Sequence, residues 1–142
     1  MDASIADEAE DYVRGLLAER PDPDPGECLA CYLDRALERA GCAGDLALAE
    51  HYRDAVAPRA TALAQRLWSM GGYCDCEVLC NAVQPAWHLW STRREIEVDG
   101  CDVVLEAEPP ETMPACRGVR RGSTQPCRNW HVMRRPMRSR RW

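Results

Sequence analysis

Apolar residues recur at three- and four-residue steps through the first ninety positions and then alternate with polar ones, so helices should precede strands. Over residues 4–19, Ile5, Ala9, Tyr12, Val13, Leu16 and Leu17 share one face opposite a run of acids, and Ser4 with Asp7 suits an N-cap. Pro21-Asp-Pro-Asp-Pro-Gly26 stops that helix and reads as a short stiff linker. A second helix over about 27–40 has the stripe Leu29, Tyr32, Leu33, Ala36, Leu37 and Ala40, and Gly41 ends it. Asp45 can cap a third over about 46–56. Pro58 suits the first turn of a fourth, whose buried side is Leu63, Leu67 and Met70 before Gly71-Gly72. Residues 74–83 fit one more short helix ahead of Pro85.

After Trp90 the period becomes two. Ile96, Val98, Cys101, Val103 and Leu105 share a face if the chain turns at Asp99-Gly100, pairing Val98 with Cys101 and Ile96 with Val103 as a two-residue type I′ hairpin requires. Beyond Pro109 no periodicity remains, and that stretch is expected to be disordered. The expected fold is mainly α. It divides into an N-terminal helix and linker (1–25), a helical domain clipped by a cysteine cluster (26–90), a β-hairpin (91–108) and an Arg-rich disordered tail (109–142).

Composition adds charge and sulfur to this picture. The 142 residues suit one ordinary domain. No apolar run approaches the ~18 residues of a membrane span, and the acidic N-terminus lacks a secretory apolar core. A cytoplasmic location follows as an expectation, and there nine cysteines point to metal or redox chemistry before disulfides. The net charge of −5 conceals opposite blocks: −8 over residues 1–60, −6 over 61–114, and +9 over 115–142, which hold nine arginines and no acid. Such a tail suits nucleic-acid phosphates, anionic lipid or the chain's own acidic body.

Cys28-Leu-Ala-Cys31 and Cys74-Asp-Cys76 are the main chemical signal, because zinc takes four tetrahedral ligands and short-spaced pairs supply two each. On the second helix Cys31 falls off the apolar stripe, between Arg35 and Glu38, with Cys28 beside it across one turn. That position leaves two readings, a ligand pair or a turn buried by another segment. Cys74 and Cys76 flank an aspartate after two glycines, and residues two apart share a face in extended chain. The expected zinc ligands are therefore Cys28, Cys31, Cys74 and Cys76, with Cys42 as substitute. Cys80 and Cys101 read as core residues. Cys116 and Cys127 have no evident partner unless a second site forms with His131.

Other chemistry is poorly supported. There is no Walker loop, dinucleotide fingerprint, His-Glu-x-x-His helix or nucleophile elbow, and His51, His88 and His131 are scattered, so no enzyme is indicated. The rival to a structural zinc-binding interaction or regulatory module is a thiol redox or metal sensor, since a Cys-x-x-Cys at a helix N-terminus has a stabilised thiolate. No strand precedes this one, as a thioredoxin-like unit would need. Trp87-His-Leu-Trp90 can pack under the hairpin or offer an aromatic docking surface. An unidentified protein is the expected partner, with nucleic acid through Arg117–Trp142 a further reading.

One stretch has a family look. Glu27-Cys-Leu-Ala-Cys-Tyr-Leu-Asp-Arg35, Gly41-Cys42, Pro58-Arg-Ala-Thr-Ala-Leu-Ala-Gln-Arg-Leu67 and Gly71-Gly-Tyr-Cys-Asp-Cys-Glu-Val-Leu-Cys-Asn81 follow in order. Across about residues 26–84 the chain resembles a family of small Cys-rich proteins, mostly actinobacterial, whose domain has no known function. Their closing motif is Gly-Gly-[Phe/Tyr]-Cys-Asp-Cys-Glu-[Val/Ile]. This chain has Cys42-Ala-Gly-Asp45-Leu where the family usually has Asp and then Thr-Leu. The resemblance implies a compact helical domain with a thiol or metal site, and no activity.

Overall fold

In a computed structural model that describes residues 4–18 and 20–133, helices lead and short antiparallel strands follow. The helices are α1 (Ile5–Ala18), α2 (Leu29–Ala40), α3 (Ala47–Val56), α4 (Leu63–Ser69) and the single turn α5 (Asp75–Glu77), which widens into a π-helical turn over Val78–Ala82. Strand β1 (Val83–Pro85) pairs with β4 (Trp130–Val132), and β2 (Arg94–Val98) pairs with β3 (Cys101–Leu105). The expectation of a mainly α fold is corrected here. With 40% helix, 13% strand and two antiparallel sheets, the fold is mixed α and β.

The helical core follows the apolar stripes. Leu29, Tyr32, Leu33 and Ala36 of α2 meet Leu48, Ala49 and Tyr52 of α3, Leu63 and Leu67 of α4, and Val78. Burying side chains of this size stabilises the fold by roughly 1.5–3 kcal/mol each. The two tyrosines are fully buried because their hydroxyls are satisfied: Tyr52 donates to the Glu27 carbonyl at 2.7 Å and Tyr32 to that of Pro21 at 2.8 Å. Arg35 and the buried carboxylate of Glu27 pair at 2.8 Å, and Arg35 also donates to the Asp22 carbonyl. The Pro-rich linker is thereby strapped onto α2. Helix α4 starts five residues after Pro58, which lies instead in a pair of tight turns (Ala60 N–H to Ala57, Leu63 N–H to Ala60).

At Gly72 the backbone comes so close to α5 that an added Cβ would lie 2.8 Å from Val78 Cγ2 and 3.2 Å from its Cα. The double glycine therefore ends α4 and lets Cys74-Asp-Cys76 dock. The hairpin has the expected register, Val98 opposite Cys101 and Ile96 opposite Val103, turning on Asp99 and Gly100 at φ +52° and +79°. Its apolar face is nonetheless exposed, and Cys101 with it, because no element among the described residues covers it. Trp87 is likewise exposed, stacked obliquely on Trp90 at 4.6 Å between ring centroids.

The largest departure lies after Pro109, where the chain was expected to be disordered. Residues 109–133 return to the helices and are held by backbone bonds: Val119 N–H to Gly26, Ala86 N–H to Asn129 and Met133 N–H to Ala82. Buried Asn129 donates to the carbonyls of Pro114 and Ala115. No repeating stripe betrays this segment, since loop carbonyls, a three-residue strand and sulfur contacts secure it. The basic segment Arg117–Trp142 is thus described as far as Met133, and residues 134–142 lie outside the described residues. No helix among the described residues is long and apolar enough to cross a membrane.

Candidate metal centre

Helix α2 has two buried faces. One makes the helical core, and the other, carrying Cys28, Ala30 and Cys31, meets Val83, Cys127 and Trp130 in a second cluster edged by Met113, Cys116 and Val119. Cys28 is the N-cap of α2, its sulfur accepting the Cys31 N–H at 3.3 Å. The Cys116 sulfur accepts two more, from Cys28 N–H and Gly118 N–H, both at 3.3 Å. Gly118 can make that bond because it sits at φ +82°, where side chains are strained. The Trp130 indole N–H donates to Cys31 Sγ at 3.2 Å, and Cys31 and Cys127 bring their sulfurs to 3.7 Å.

Four sulfurs therefore converge. Those of Cys28, Cys31, Cys116 and Cys127 all lie within 4.8 Å of one another, three on buried residues and Cys116 half-buried. Tetrahedral ligands ~2.3 Å from a zinc ion stand ~3.8 Å apart, which the Cys31–Cys127 separation matches. The N–H groups aimed at sulfur are the donors that thiolates need when removed from water.

Protonation follows the same geometry. A hydrogen bond from the Cys31 thiol lowers Cys28 to about 5 against the effect of burial, helped by the N–H groups of Cys31 and Cys127 and by the Cys127 thiol. Cys31, as the donor to Cys28, is pushed far up, and burial adds to that. Burial also raises Cys127, although backbone bonds from Asn129 and Arg117 oppose it. Cys31 and Cys127 thus hold protons that a divalent cation would replace.

Cys42, Cys74 and Cys76 form a separate group, again with all sulfurs within 4.8 Å but with Cys42 and Cys76 exposed. Its scaffold is Asp75. That carboxylate is 1% exposed and accepts the N–H groups of Leu48 and Ala49 at 2.9 and 3.0 Å, capping α3 from a distant point in the chain. With Asp75 turned inward its neighbours face outward, and Cys74 and Cys76 sulfurs stand 3.2 Å apart. Hydrogen bonds to the Cys74 and Cys42 sulfurs push the Cys76 thiol up to about 12. At Cys42 burial raises the thiol, yet hydrogen bonds from the Cys76 and Gly44 backbone and from the Cys76 and Cys74 thiols leave it lowered.

The two pairs singled out in the sequence, Cys28 with Cys31 and Cys74 with Cys76, thus fall in different groups. Cys42, expected as a substitute ligand, joins Cys74 and Cys76. The turn that carries Cys31 is buried by another segment, and its sulfur nonetheless stands among three others. The segment that buries it brings Cys116 and Cys127, which sequence reasoning left without partners. Their available signal was Cys116-Arg-Gly118, a cysteine two residues ahead of a glycine able to turn its N–H back onto sulfur. The surrounding arginines hid it. His131 lies exposed in β4 opposite Gln84, and Cys80, expected in the core, is exposed.

No curated protein and no solved structure matches the chain. One family does: residues 29–81 match the model described as "Protein of unknown function (DUF2695)".

Proposed function

We propose that Cys28, Cys31, Cys116 and Cys127 hold one structural zinc ion, and that the protein is a metal-stabilised interaction or regulatory module of the cytoplasm. The observation carrying this reading is the convergence of four sulfurs from distant segments, largely buried and approached by N–H donors. A closed set of four thiolates leaves no position for substrate, which separates structural from catalytic zinc. The ion would tie the 109–133 segment to the N-terminus of α2.

Metal analysis of protein purified without added zinc, after washing with a weak chelator, tests the proposal. About one zinc per chain is expected, and a strong chelator should release it together with the 109–133 segment. Less than about 0.2 ion per chain, with folding unchanged in strong chelator, would overturn it.

A second reading, contact with nucleic-acid phosphates, is favoured by one observation. Arg117, Arg120, Arg121 and Arg128 are exposed on or beside the loop between Cys116 and Cys127. It predicts affinity that falls steeply with salt and weakens when these arginines are replaced.

A further inference from the structure

The group formed by Cys42, Cys74 and Cys76 is arranged differently from the buried four. The start of α5 is locked to the start of α3 and the loop before it by three hydrogen bonds: Asp75 N–H donates to the Asp45 carbonyl at 2.9 Å, and the Leu48 and Ala49 N–H groups donate to the Asp75 carboxylate. Because residues 45–49 are fixed against residue 75, Cys42 is held facing Cys74 and Cys76. The three sulfurs occupy one side of a surface site, and the exposure of Cys42 and Cys76 leaves the other side to water.

We propose that Cys42, Cys74 and Cys76 form a second, exchangeable centre that binds one divalent thiophilic metal ion through three thiolates, with the remaining position open to water or an incoming ligand. Sulfur donors select soft and borderline ions over magnesium or calcium. Three protein ligands with one open position is the arrangement that permits exchange. Charge decides between oxidation states. Three thiolates carry −3, so a monovalent ion leaves −2 on the site and a divalent ion only −1. Asp45 lies in the loop that carries Cys42, Asp75 and Glu77 lie in α5 beside Cys76, and residues 61–114 carry nine acids against three arginines. Such surroundings favour the divalent ion. On binding, three thiols release their protons to solvent and no electron changes hands. This centre shares no residue with the four-thiolate site and does not depend on it.

Cadmium serves as a spectroscopic stand-in for zinc. The full-length apo chain, reduced and kept anaerobic, is titrated with cadmium while thiolate-to-metal absorption is followed. Two equivalents are expected, the second removed within minutes by a weak chelator that leaves the first in place. In Cys42→Ser the second equivalent should weaken at least about tenfold with the first unchanged, and Cys76→Ser should do the same. Both side chains are exposed, so both variants should melt like the parent chain. In Cys127→Ser the labile equivalent should persist while the tight one fails, so the two sites fail separately. Absence of a labile equivalent in the parent chain, or a labile equivalent unaffected in Cys42→Ser and Cys76→Ser alike, would overturn the proposal.

Discussion

The two sulfur groups begin from similar short motifs and end in opposite environments. Cys-x-x-Cys opens a helix, and a returning segment buries it with two more cysteines, an indole N–H and a glycine turn. Cys-x-Cys flanks an aspartate that turns inward, which leaves Cys76 exposed and Cys74 half-buried beside Cys42. What separates them is the residue between and the chain that comes back. An apolar Leu-Ala pair lets the first motif join a core, whereas Asp75 takes the buried place and leaves its cysteines outside. Closure suits the first group to fasten the returning segment, and openness suits the second to exchange its ligand.

The sharpest way to break this comparison is to remove one sulfur from each group. Cys127→Ser should cost the tight ion and several kcal/mol of stability, because metal binding by a closed thiolate set is coupled to folding. Thermal unfolding with and without chelator measures it, and in this variant chelator should have little further effect. Cys42→Ser should leave the midpoint within about 2 °C, as exposed positions usually do. Equal losses in the two variants would show that both groups stabilise the fold.

Asp75→Ala comes next, at about 2–4 kcal/mol, since two helix N–H groups would lose a buried charged acceptor. The same change should loosen the labile ion without touching the tight one. Urea denaturation gives the first effect and the cadmium titration the second. Gly72→Ala should cost about 1–3 kcal/mol, because the new methyl overlaps Val78 and its backbone must yield. Its effect on metal should be confined to the exposed group, whose turn Gly72 lets dock.

How much of this was legible in the sequence depended on whether a pattern repeats. The stripes of α2 and α3 and the alternation of residues 96–105 repeat, so helices and hairpin register could be read. The returning segment could not, because Val119, Asn129 and Trp130 are secured by individually placed bonds and no period links them. The same limit applied to the site. Cys28 and Cys31 stood out as off the apolar stripe, but choosing their partners required knowing which distant loop comes back. Spacing alone favoured Cys74 and Cys76, and nothing in it revealed that Asp75 faces inward. Exposure of the hairpin's apolar face was also hidden, since alternation fixes which residues share a face and leaves open whether anything covers it.

Trp130→Phe should have a smaller effect, about 1–2 kcal/mol, as it keeps an aromatic ring in the second core but loses part of the indole's volume and its N–H bond to Cys31. Its more telling readout is metal. A donor to a ligating sulfur raises affinity by about a factor of ten, well short of the loss expected from removing a ligand. Competition with a chelator of known affinity should therefore find the tight ion retained but released more readily, while the labile ion behaves as in the parent chain. An unchanged tight site would mean that the indole serves packing alone. A shift confined to the labile site would contradict the separation of the two groups, because Trp130 packs in the cluster of the buried one.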